Sequence, residues 1–254
     1  MHRLSAVAVV VAITASAHAE DKKYTLADLK ALVEQKSYAE AVAHLQDVPP
    51  SERKAEYIDV AGRAAAGAVA GEADAWSKLL AMIEIEKKSP IVLKSAAYRG
   101  VRTDAAVTGF DLCFQNAGGG FQQCRDYALA FVDGDPSNGK LTLQLAKVVR
   151  RGMSHFAAVP FFKRALAANK PAQVCADEDL SLAVMSGLGL KPADERLGEA
   201  KAIAGTCFAN LKAELVKAIS DSGELHDHAC EVLQAKKALT PDQTKACAVK
   251  KGKS

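Results

Sequence analysis

Apolar residues in this chain recur at three- and four-residue steps, and short clusters of Pro, Gly, Ser and Asp interrupt that rhythm again and again. Side chains three and four apart share one face of a helix. The alternation expected of a half-buried strand is scarce. The first helix is read behind Thr25, a suitable cap, with Leu26, Leu29, Leu32 and Val33 on one face. A second carries Tyr38, Ala41, Val42 and Leu45 and is stopped by Pro49-Pro50. With Ser51 as cap, a third brings Tyr57, Ile58, Ala61, Ala65 and Val69 together before Gly71. A fourth, over 73–88, is expected to turn Trp76, Leu79, Leu80 and Ile83 inward. Further helices are predicted over 91–98, 103–116, 121–132, 137–151, 156–168, 177–188, 193–220 (bent at Gly205), 224–238 and 241–249. Pro171 is expected to close the unit before it. Abundant Ala, the best helix former, agrees with an all-α chain.

Six cysteines lie downstream of residue 100: Cys113, Cys124, Cys175, Cys207, Cys230 and Cys247. An even number in an exported chain predicts three disulfides, although six cysteines allow 15 pairings. Pairing of neighbours is expected, Cys113–Cys124, Cys175–Cys207 and Cys230–Cys247, each stapling one helical hairpin. No Cys-x-x-Cys is present to suggest a redox or metal site.

Export itself is read from the first residues. Arg3 precedes the apolar run 4–13, and Ala17-His18-Ala19 supplies small residues for cleavage before Glu20. The run is shorter than the roughly 20 residues that cross a bilayer. The expected organisation is a signal peptide over 1–19, a helical domain over 20–249 with a possible subdivision near 133–137, and a basic, disordered tail over 250–254. The expected location is periplasmic or secreted. The whole sequence carries a formal charge of +3. That balance gives no reason to expect nucleic acid or stable membrane insertion.

Short helices joined by short turns suggest stacked antiparallel hairpins. Residues 36–45, Lys-Ser-Tyr-Ala-Glu-Ala-Val-Ala-His-Leu, resemble the start of the second helix of a tetratricopeptide repeat. A shift of 34 residues, the period of that family, maps Ala41 onto Ala75, Leu45 onto Leu79 and Val48 onto Met82. Over 139–172, Leu145-Ala146 and Val149 match the first helix of a unit. Ala158, Phe162 and Ala165 match the second, while the Trp and Tyr of the first helix are absent. The resemblance covers about half the chain. It implies an α-solenoid of the bacterial envelope whose first helices line a peptide-binding groove. One polar stripe fits that role: Lys140, Gln144, Lys147 and Arg151, opposite Leu141, Leu145 and Val148. Carried over, the stripe would receive acidic segments or carboxylates of a partner.

Candidate chemistry is sparse. His226-Asp227-His228 with Cys230 is the densest set of possible metal ligands. Residues two apart on a helix diverge, so an exposed helix start is preferred. The segment 133–139 has the oxygen content of a calcium loop but wrong positions for its Gly and terminal Glu. It reads as a turn capped by Ser137 or Asn138. Residues 118–120, Gly-Gly-Gly, lack the Gly-Lys-Ser/Thr of a phosphate loop and read as a hairpin tip. Glu84 and Glu86 read as a charged helix end, and His155 as structural. The expectation is therefore a non-catalytic scaffold or adaptor without a cofactor, binding another envelope or secreted protein. A small-ligand or metal carrier is the alternative, and a hydrolase with scattered residues is the third reading.

Overall fold

The computed structural model describes residues 23–250 except 117, 119 and 222, and among these every regular element is a helix. The expected signal peptide over 1–19 and the tail beyond residue 250 lie outside the described residues.

Helix α1 (Leu26–Glu34) opens with a reciprocal cap: the Thr25 hydroxyl accepts from the Asp28 amide, and the Asp28 carboxylate accepts from the Thr25 amide. Helix α2 (Tyr38–Ala43) passes into a 3-10 turn at Leu45–Asp47. Ser51 does not cap α3 (Ala55–Gly71), as expected from sequence. It lies in a separate 3-10 turn, Pro50–Glu52, and Lys54 precedes the helix. Helix α4 (Ala75–Lys88) is capped by Asp74, whose carboxylate accepts from the Trp76 and Ser77 amides. The two helices predicted over 91–116 are one 3-10 turn, Pro90–Lys94, and one long α5 (Ala96–Gln115). Gly100 does not break α5, and nothing lies within 4 Å of where its side chain would begin.

Helix α6 (Phe121–Gly134) leads to α7 (Gly139–Gly152), capped by Asn138, which accepts from the Leu141 amide at 3.1 Å. A 3-10 turn, His155–Ala158, precedes α8 (Val159–Ala168). Pro171 opens the short α9 (Pro171–Cys175) instead of closing the preceding unit, since a missing N–H costs nothing in a first turn. Helix α10 (Glu178–Leu188) follows. The single bent helix expected over 193–220 is two, α11 (Glu195–Thr206) and α12 (Phe208–Ala218). The break falls at Cys207, not Gly205. Helices α13 (Glu224–Ala235) and α14 (Pro241–Lys250) complete the order.

The three disulfides pair as predicted, with Cα separations of 5.9, 5.1 and 5.7 Å for Cys113–Cys124, Cys175–Cys207 and Cys230–Cys247. The first joins the end of α5 to the start of α6, and the third joins α13 to α14. The second does not staple one hairpin: it ties the end of α9 to the α11/α12 junction, across α10 and α11. No helix among the described residues is long and apolar enough to cross a membrane. The three S–S bonds are consistent with a place outside the cytoplasm.

One hydrophobic core runs from Leu29 in α1 to Leu233 in α13. Near 133–137, Arg164 of α8 pairs with Asp133 of α6. Each substantial helix contact joins elements no more than three helices apart in the chain; α5, for example, packs on α3, α4, α6 and α7. Gly109 sets the closeness of α4 and α5. A Cβ there would stand 2.7 Å from Leu79 Cβ and 2.9 Å from the Ala75 carbonyl oxygen.

Candidate functional site

Helices α4 and α6 both pack on α5 and leave a groove between them. Its volume is about 670 Å³. Trp76, Leu79, Leu80 and Ile83 of α4 form one wall, and Gln123, Cys124 and Tyr127 of α6 form the other. Leu112, Cys113 and Asn116 at the end of α5 form the floor. No charged side chain lines it among the described residues. The wall residues follow helical spacing, 76, 80 and 83 on α4, 123, 124 and 127 on α6, so each helix offers a continuous strip. Trp76, Leu80, Phe121 and Tyr127 are each 39–45% exposed. They are four of the five large apolar side chains left exposed among the described residues, the fifth being Leu182 on α10. Three of them, Trp76, Leu80 and Tyr127, line the groove, and apolar side chains gathered in this way mark a binding surface more often than scattered single residues do.

This corrects the reading of α4. Trp76 and Leu80 were expected inward, whereas the core takes Leu79, Met82 and Ile85. The apolar arc of α4 is too broad for one partner. Its second strip faces the groove.

The far end of α4 is anchored by an ion pair that the split reading of α5 missed. Arg102 of α5 is fully buried. Its Nε and Nη2 donate to the two Glu86 carboxylate oxygens at 2.7 and 2.9 Å, and Nη2 also donates to the Phe131 carbonyl of α6 at 2.8 Å. The guanidinium lies 4.5 Å over the Phe131 ring, and the Asp135 carboxylate is 3.9 Å from Nη1. Tyr98 donates to Glu86 at 2.8 Å. Burial, reinforced by the neighbouring Glu86 carboxylate, pushes the Tyr98 phenol far above its ordinary range. Glu86 is thus a nearly buried counter-ion, not part of a charged helix end. At the near end, hydrogen bonds from Ser77 and Trp76 hold the Asp74 carboxyl below its ordinary value.

The polar stripe on α7 lies elsewhere and is internally occupied. Lys140 meets Asp104 at 3.1 Å, Lys147 meets Asp177 at 2.6 Å, and Arg151 meets Asp111 at 3.5 Å. Gln144 Oε1 is buried without a hydrogen-bond partner. Each cation of the stripe therefore already faces a carboxylate of its own chain.

His226 and His228 do not begin an exposed helix. Both are buried. Their Nδ1 atoms lie 2.8 Å from the Ile219 carbonyl and 2.7 Å from the Leu188 carbonyl, at the C-terminal ends of α12 and α10. Carbonyl acceptors place a proton on each Nδ1, so the two rings close helix ends. Cys230 is bonded to Cys247. Among the described residues no three His, Cys, Asp or Glu side chains come together to hold a metal ion. In the segment resembling a calcium loop, Asp133 pairs with Arg164, and Asp135 accepts from Asn138 at 3.0 Å. A second cleft, about 470 Å³, lies between α13 and α14 and is lined by Glu231, Lys237 and Thr244 among others.

Comparison with family models, curated proteins and solved structures finds no match.

Proposed function

We propose that this chain is an exported, non-catalytic protein of the periplasm or the secreted medium that binds one apolar helix of another envelope protein between α4 and α6. The observation that carries this is the uncharged groove, with Trp76, Leu80 and Tyr127 exposed on its walls. An occupant complementary to it carries no charge on its contacting face. From Trp76 to Ile83 the α4 wall is about 10 Å long, two helical turns. That length suits anchors at i, i+4 and i+7, the usual mode of a helix lying in a groove.

The proposed architecture is a degenerate, tetratricopeptide-like series of antiparallel helix pairs. Support comes from contacts between the end of one helix and the start of its neighbour. Asn169, just after α8, donates to the Gly139 carbonyl at the start of α7. Arg102, early in α5, donates to Phe131, late in α6. Leu145, Ala146, Val149, Ala158, Phe162 and Ala165, the positions matched to the repeat, are all fully buried. An acidic segment docking on α7 has less support, because it would have to displace Asp104, Asp177 and Asp111.

Trp76 is the sole tryptophan of the chain, so its emission reports the groove directly. The test uses a synthetic amphipathic helix with Leu at i, i+4 and i+7, and a control with Glu at those places. The Leu peptide should give a saturable blue shift that the control does not. Leu80→Asp with Tyr127→Asp should weaken binding by about thirtyfold or more, as loss of central anchors does. Equal response to both peptides, or none, would refute the reading.

A further inference from the structure

We infer that the Cys113–Cys124 bridge gates this groove: it holds the α6 wall in place, and its reduction releases that wall. The inference rests on the groove reading and adds its regulation. Between Phe121 and Tyr127, Cys124 is the only buried residue. Among the described residues, the side-chain polar contacts of this half stay within α6: Gln123 with Tyr127, and Arg125 with Asp126. The second half is held quite differently. Ala128, Phe131 and Val132 are buried, Phe131 stacks edge-on against Phe110, Arg102 donates to the Phe131 carbonyl, and Arg164 pairs with Asp133. Among the described residues, then, the first two turns of α6 are joined to α5 through the disulfide. In the preceding turn Gly118 takes φ +49°, the left-handed region that favours glycine.

Both bridge cysteines line the groove on the side an occupant would cover, and each keeps only 4–6% exposure there. The reductant is a dithiol. Its thiolate attacks one sulfur and expels the other as a thiolate, which takes up a proton. Its second thiol then closes on the mixed disulfide. Two electrons and two protons pass to Cys113 and Cys124, and the dithiol leaves as a disulfide. Because occupancy and an intact bridge favour the same state, each protects the other.

The experiment compares the full-length oxidised protein with a Cys113→Ser/Cys124→Ser variant whose helicity is checked by circular dichroism. Amide exchange should quicken by about tenfold or more over 121–127 and stay unchanged over 128–134, and Leu-peptide affinity should fall by a similar factor. Cys230→Ser/Cys247→Ser should change neither. If residues 121–127 stay protected in the first variant, or affinity holds, the gate is overturned. If that variant does not fold, dithiothreitol treatment of the wild type decides: saturating Leu peptide should slow reduction of Cys113–Cys124 and leave Cys230–Cys247 unaffected, and equal rates overturn the gate. Failure of the groove reading shows separately, as oxidised wild type that does not bind the peptide, while the exchange comparison still judges the wall.

Discussion

Arg102 shows how one residue can fix three helices. Its guanidinium binds Glu86 on α4, caps a carbonyl on α6 and belongs to α5. Truncating one partner of such a pair strands the other charge away from water, which costs about 3–5 kcal/mol. Glu86→Ala should therefore lower unfolding free energy in urea by that amount, whereas Glu84→Ala, on the exposed face, should change it by less than about 0.5 kcal/mol. Similar losses for both would contradict the burial assigned to Glu86. The clue was present in the sequence. Tyr98, Arg102, Ala106, Phe110 and Cys113 follow one helical stripe, and an arginine in an apolar stripe calls for a buried carboxylate. Splitting α5 near residue 100 hid that stripe. The histidines misled for a related reason: their carbonyl partners, Ile219 and Leu188, are 7 and 40 residues away, and spacing within α13 says nothing of them.

Among elements, α4 and α6 form the walls of the groove proposed to receive a partner helix. Gly109 lets α4 settle close on α5 and so sets the groove's depth. Gly109→Val would drive a branched side chain into Leu79 and the Ala75 carbonyl. Overpacking of this kind costs about 1–3 kcal/mol. The variant should unfold at lower denaturant and show altered Trp76 emission even when folded; wild-type values for both would oppose the close packing described. Most helices were legible because their apolar periods and caps are local: Thr25, Asn138 and the neighbour pairing of cysteines all follow from nearby residues. The interruption at Cys207 was not, since it coincides with a bond to a residue 32 positions earlier. Nor was the groove. Periodicity marks Trp76 and Leu80 as apolar but does not say whether a neighbour covers them.

Across the whole molecule, contacts run in series, each helix touching those near it in the chain. On the proposed stacked-hairpin architecture, stability is a sum of local terms, and distant parts unfold with limited coupling. Leu233 in α13 is fully buried. Leu233→Ala should destabilise its own region by about 2–5 kcal/mol. The urea midpoint followed by circular dichroism should then fall or broaden, while the midpoint followed by Trp76 emission stays near that of the wild type. Coincident shifts in both signals would mean a single cooperative unit. The bridges carry a mechanical corollary. They span 11, 32 and 17 residues without overlapping. Pulled from its two ends, the oxidised chain should come taut roughly 200 Å sooner than the reduced one, because those spans are withheld from extension. Under tension, the same polypeptide would act as a short tether or a long one according to its thiol state.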